Sequence, residues 1–190
     1  MSTSILIAPA CLLMIALPIA RVPWPTREQG AAVASDSAVI SRVCAAVALI
    51  DRKASKYRRT KHDLKGFSLE GGELTGYFEG DSLRKLHARH FGESGRATED
   101  YYFASGRLVF VLRVDEQWTL PLSGKVRSRV EHRVYFENDR LIRHVRSPFR
   151  ASPEEGDPDP AHLLEDGHTF AACAAAPRAG SSACSAGRDG

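Results

Sequence analysis

The chain has 190 residues, of which 43% are hydrophobic and 26% charged, with a net charge of +3. That composition fits one globular domain with appendages. The charge is uneven: residues 57–150 hold eighteen basic and thirteen acidic groups, and residues 151–190 hold two and seven. So small a basic surplus is what a solvated mixed surface carries, and it gives no ground for nucleic-acid binding.

Residues 5–20 (ILIAPACLLMIALPIA) form an uncharged run of sixteen that contains Pro9 and Pro18. A membrane-spanning helix needs about 20 apolar residues, so the run reads as the apolar part of a secretory signal. No Lys or Arg precedes it, and a cut after Ala20 would leave Pro18 where a small residue is wanted. Residues 1–20 are therefore expected to be a signal peptide or, if uncut, a membrane anchor. No other membrane segment is expected, and the destination is the periplasm or the outside of the cell.

Residues 21–34, broken by Pro23, Pro25 and Gly30, read as a linker. Asp36 or Ser37 can then cap a helix over 36–54. Val39, Ile40, Val43, Cys44, Val47 and Ile50 follow helical spacing and form its apolar stripe. Cys44 on that stripe is expected to behave as a small core residue.

After a basic connector the period changes to two, and a repeat emerges. Tyr77-Phe78-Glu79-Gly80-Asp81-Ser82-Leu83, Tyr102-Phe103-Ala104-Ser105-Gly106-Arg107-Leu108 and Tyr135-Phe136-Glu137-Asn138-Asp139-Arg140-Leu141 align without gaps. Gly-Asp, Ser-Gly and Asn-Asp tolerate the positive φ of two-residue hairpin turns. Such turns place Phe78 opposite Leu83, Phe103 opposite Leu108 and Phe136 opposite Leu141, with the tyrosines on the other face. Each pair contributes roughly 0.2–1 kcal/mol beyond burial. Leu108, Phe110, Leu112 and Val114 should continue the Phe–Leu face, as should Val126, Val130 and Val134. After Leu83 the alternation breaks, and a bulge there would return Leu86 and Ala88 to the inside.

Strands are expected near 64–71, 73–79, 82–91, 97–104, 107–115, 126–137 and 140–146. The predicted fold is α+β, with the N-terminal helix packed on a single antiparallel β-meander of six or seven strands, over residues 35–146. The helix should lie on the Phe–Leu layer and leave the tyrosines open. Residues 147–190, an acidic tail rich in Ala, Gly, Ser and Pro, are expected to be disordered apart from a short helix near 161–166. Cys173 and Cys184 in that tail either pair in an oxidising compartment or stay free.

The Tyr-Phe-x-x-x-x-Leu unit over residues 64–146 resembles the repeats of MORN-type and MORN-variant β-meanders, and the whole resembles exported bacterial proteins of this build. The resemblance implies a scaffold for protein or lipid contacts. It carries over no catalytic residue.

Chemistry-bearing groupings are sparse. His87 and His90 face opposite sides of a strand and cannot share a metal, and His132 and His144 lie on later strands. Glu73, Glu79, Glu99 and Asp100 read as hairpin surface charges. No catalytic residue, metal site or cofactor is assigned. The candidate binding residues are Tyr77, Tyr102 and Tyr135 on the open face, flanked by Arg129 and Arg133, together with Trp118 in the 117–125 loop. The first functional reading is a non-enzymatic exported module that meets a protein or envelope partner through that face. The others are an inhibitor or immunity-type protein acting through loops 92–96 and 115–125, and a small hydrolase.

Overall fold

The computed structural model describes residues 27–149 and 156–176, with side chains from 35 to 147 and from 156 to 176. The signal-like run and Cys184 lie outside the described residues. Helix α1 (Arg27–Lys53) leads through a 3-10 turn (Ala54–Lys56) into seven strands. These are β1 (Arg58–Leu64), β2 (Gly72–Glu79), β3 (Ser82–Gly92), β4 (Gly95–Ala104), β5 (Arg107–Trp118), β6 (Val126–Glu137) and β7 (Arg140–Phe149), followed by α2 (Pro160–Ala175). All neighbours pair antiparallel in the order β1-β2-β3-β4-β5-β6-β7, so the sheet is a plain meander. The predicted α+β fold is what forms: the N-terminal helix packs on a single antiparallel meander.

The repeat sets the register. Phe78 pairs with Leu83, Phe103 with Leu108 and Phe136 with Leu141. Ser105, Gly106, Asn138 and Asp139 all have positive φ, as two-residue turns demand. The register then shifts by one residue at the same place in all three repeats. Tyr77 pairs with Lys85, Tyr102 with Phe110 and Tyr135 with Arg143, leaving Arg84, Val109 and Ile142 as the extra residues. The bulge expected after Leu83 is therefore a property of the repeat. It puts Leu86 and Ala88 inside, and both are fully buried. It also corrects the reading of β5: Leu108 stays in the Phe–Leu core and Val111 joins it, while Phe110 and Leu112 move to the tyrosine face.

Both faces are covered. Helix α1 lies on the tyrosine face, not on the Phe–Leu face as expected. Val39, Val43 and Ile50 pack with Tyr57, Tyr102, Phe110 and Tyr135. Salt bridges from Arg42 to Glu137 (2.8 Å) and from Lys53 to Glu79 (3.2 Å) hold the helix near the repeat turns. Cys44 is exposed, in correction of its core assignment. Its thiol sits against the Tyr135 hydroxyl, at the edge of the apolar stripe.

The Phe–Leu face is covered by α2, which extends the short helix expected near 161–166 through a tail otherwise expected to be disordered. Asp159 caps the helix by accepting from the Ala161 N–H at 2.9 Å, and Pro160 starts it, where a missing N–H costs nothing. Leu163, Phe170, Cys173 and Ala174 enter one core with Leu74, Phe78, Leu86, Tyr101 and Phe136. Burying a side chain such as Phe170 contributes roughly 1.5–3 kcal/mol. Gly167 allows close approach: a Cβ there would stand 3.0 Å from Leu108 Cδ2 and 3.1 Å from Tyr101 Cδ1. Cys173 is buried and disulfide-bonded.

Two further boundaries differ from expectation. Residues 27–34, read as linker, are helical. One interior glycine costs a helix only about 1 kcal/mol, and both linker prolines precede it. The first strand is Arg58–Leu64, not 64–71. Its charged residues suit an edge strand, where Arg58, Arg59, Lys61 and Asp63 are exposed and discourage further pairing.

Candidate functional site

The tyrosines do not form an open face. Tyr102 is 3% and Tyr135 8% exposed beneath α1, and Tyr77 is half-buried with the Arg59 guanidinium over its ring. The Tyr102 hydroxyl accepts from Lys85 Nζ at 2.8 Å and donates to Asp51 of α1 at 3.1 Å. Burial pushes this hydroxyl up to about 12, so it stays protonated and ties helix to sheet. Arg129 and Arg133 lie on the same face and both bridge to Glu131, and Arg129 also approaches Glu116. Trp118, the last residue of β5, is half-buried, and its N–H donates to the Ser94 carbonyl at 2.8 Å.

A cleft forms on the opposite face, at the end of the sheet away from the repeat turns. A cleft of about 1250 Å³ opens between the N-terminal half of α2 and the ends of β3–β6. Its lining includes His90, Arg113, Asp115, Trp118 and Asp166. The Trp118 loop forms part of its rim, so loops 92–96 and 115–125 frame it.

The floor is a polar ladder. Strand pairing sets Glu99, Arg113, His132 and Arg146 side by side across β4–β7. Glu99, read from sequence as a surface charge, is 1% exposed. Its Oε2 accepts from the Tyr101 hydroxyl at 2.7 Å and lies 3.1 Å from His90 Nε2, and its Oε1 accepts from Arg113 at 2.6 Å. Burial alone would raise this carboxyl, but the His90 hydrogen bond and the Arg113 charge outweigh it and hold it at about 2. Arg113 also donates to Asp115 through Nε at 2.9 Å and Nη2 at 2.7 Å. His132 is buried and shares a 3.0 Å hydrogen bond with His144. Asp157, in the segment that leads into α2, lies 3.0 Å from Arg146 Nε and 3.9 Å from His132 Nδ1.

The histidines sort by face. His87 bonds to Asp100 at 2.7 Å on the α1 side, and His90 bonds to Glu99 on the α2 side. No grouping of three or more metal-ligating side chains occurs among the described residues. Since Glu99 is ionised, His90 Nε2 carries the proton. Its Nδ1 is buried and has no hydrogen-bond partner among the described residues. Across the cleft Asp166 is raised above its ordinary value, first by burial and then by the Glu99 charge. One wall thus holds a rigid, ion-paired floor, and the other bears the carboxylates of α2. Sequence reasoning missed Glu99 and Arg113. Ala97, Glu99, Tyr101 and Phe103 alternate along one face of β4, and that spacing marks Glu99 as inward-pointing.

Comparison of the chain with protein families, curated proteins and solved structures found no match.

Proposed function

We propose that this chain is an exported binding module that meets its partner through the cleft at the loop end of the sheet. The observation that carries this reading is the cleft itself, whose floor is preorganised by the Glu99–Arg113–Asp115 bonds and needs no rearrangement to receive a ligand. Buried ionic groups are costly, and a fold that keeps them beneath a concave surface is using them for more than stability. The signal-like run of residues 5–20 and the disulfide at Cys173 both favour an oxidising, extracytoplasmic compartment, periplasmic or secreted. The MORN-like repeat fits a scaffold role. Contact through the loops is also the mode an inhibitor or immunity-type protein would use.

The test is affinity capture from envelope extract with the full chain and with a variant carrying Arg96→Ala and Asp166→Ala, two residues that line the cleft. The expected result is a partner held by the wild type and lost by the variant, with unchanged thermal unfolding. Capture that survives both substitutions, or no partner at all, overturns the proposal.

One observation bears on a hydrolase as the second reading: Glu99 orients His90, which lines the cleft, and base catalysis there would need the buried Nδ1 to be uncovered. Ester hydrolysis by the wild type that vanishes in His90→Gln would support it. Hydrolysis equal in the two proteins would remove it.

A further inference from the structure

We infer that the free edge of β1 takes up an extended acidic segment of a partner protein as an added strand. β1 ends the sheet, so among the described residues its outer backbone groups pair with no other strand. It pairs with β2 over its whole length of seven residues, without a bulge and without a proline. Seven residues span about 23 Å, long enough for the main-chain bonding by which extended peptides join a sheet.

The other edge of the sheet is blunted. β7 carries a bulge against β6, and it contains Pro148, which has no N–H to offer. Asp157 of the same chain also lies 3.0 Å from Arg146 Nε of β7. At that edge an acid of this chain meets a cation of the strand. At β1 no described segment does so.

The charge on β1 chooses the occupant. From Lys56 to Lys65 stand five exposed bases, Lys56, Arg58, Arg59, Lys61 and Lys65, and one exposed acid, Asp63. None of the five bases has an ion-pair partner among the described residues. The carboxylates of β2 are engaged elsewhere, Glu73 by Arg89 and Glu79 by Lys53 and Arg84. Glu70 and Asp81 lie outside the β1–β2 ladder. Arg58 is held over the Phe78 ring at 4.6 Å and Arg59 over the Tyr77 ring at 5.4 Å, so each face of the edge presents an oriented guanidinium. These charges discourage pairing between copies, because two such edges would bring together five bases and one acid from each. They favour instead a strand with carboxylates opposite Arg58, Arg59 and Lys61 and a base opposite Asp63. None of Arg58–Leu64 lines the cleft, so the edge is a second surface, independent of the first.

The probe is a fluorescein-labelled peptide, Glu-Glu-Thr-Glu-Thr-Lys-Val, made in this order for parallel pairing and reversed for antiparallel pairing. With the full chain, one of the two should bind and slow amide hydrogen exchange in β1 but not in β7. Salt should weaken the binding. Arg59→Glu with Lys61→Glu, both exposed positions, should weaken it about tenfold and leave thermal unfolding unchanged. That variant should regain binding to a peptide with lysine at the two facing positions. Arg96→Ala with Asp166→Ala, in the cleft, should leave peptide binding as it is, so the two surfaces fail or stand separately. Absence of binding by both peptides overturns the proposal. So does binding that survives methylation of the peptide's backbone nitrogens, since a loose charge contact needs no strand. A single-stranded oligonucleotide that slows exchange in β1 as strongly would assign the edge to nucleic acid and overturn it. A concentration-dependent dimer that the charge-reversed variant dissolves would overturn it in favour of a second copy of this chain.

Discussion

Glu99 shows how a single position can matter more than its sequence context suggests. Among hairpin charges it looked ordinary, yet alternation with Tyr101 and Phe103 aims it inward, where His90, Tyr101 and Arg113 bond it. Removing one member of a buried ionic set leaves the others uncompensated. Glu99→Gln should therefore lower stability by about 3 kcal/mol, read as a shift in the urea midpoint. The pH dependence follows from the same bonds. The folded carboxyl sits at about 2, below its ordinary value of 4.5, so its contribution is complete above 4.5 and is lost as pH falls toward 2. The variant should lose that part of the acid slope; an unchanged slope would show that other carboxylates govern it. Gly95 is a second such position. A Cβ there would stand 2.1 Å from the Glu116 carbonyl oxygen, a contact that only a shift of the β4–β5 backbone can relieve. Gly95→Ala should cost at least about 1 kcal/mol by thermal unfolding, more than a typical surface change.

At the scale of elements, strands were more legible than helices. Turn chemistry fixed three hairpins to the residue, because positive-φ dipeptides between matched aromatic and leucine positions leave one register. The recurring bulge was foreseen only after Leu83, where charge broke the alternation. At Val109 and Ile142 the extra residue is apolar and raises no conflict with the pattern. Helix α2 was hidden by its surroundings. Its Asp159-Pro160 start and its Leu163, Gly167, Phe170, Ala174 stripe are helix signals, but they sit in an Ala- and Pro-rich segment that suggests disorder. Phe170 anchors this helix, its ring centroid 4.9 Å from Phe67 and 5.7 Å from Tyr101. Phe170→Ala should destabilise the protein by about 3–5 kcal/mol, whereas Leu49→Ala on the exposed side of α1 should stay within about 0.5 kcal/mol. Equal effects in denaturant titration would mean that α2 does not contribute to the cooperative core. Acid should loosen the same dock: burial above all lowers His132, so its neutral form is favoured in the fold. Its stabilising share is present above an ordinary value of 6.5 and declines as pH falls below it.

On the scale of the whole molecule, the two faces explain why the tyrosine face is not the open surface that the sequence suggests. A sheet with one helix must leave one face open, and the tyrosine face was the more polar candidate. Both faces are in fact apolar enough to need cover: Tyr102, Phe110 and Tyr135 on one, Leu74, Leu86, Val111 and Val134 on the other. Each face carries one helix, α1 on the first and α2 on the second. The same logic predicts the fate of a chain ended at residue 155. It would keep all seven strands and α1 but expose Leu64, Leu74, Leu86, Tyr101, Val111 and Val134, each now nearly inaccessible. Monomeric proteins rarely tolerate an apolar patch of more than a few hundred Å². The truncated chain should bind a hydrophobic dye strongly and leave the monomer peak in size-exclusion chromatography. A soluble monomer that unfolds as cooperatively as the full chain would show that the meander and α1 form a complete domain without α2.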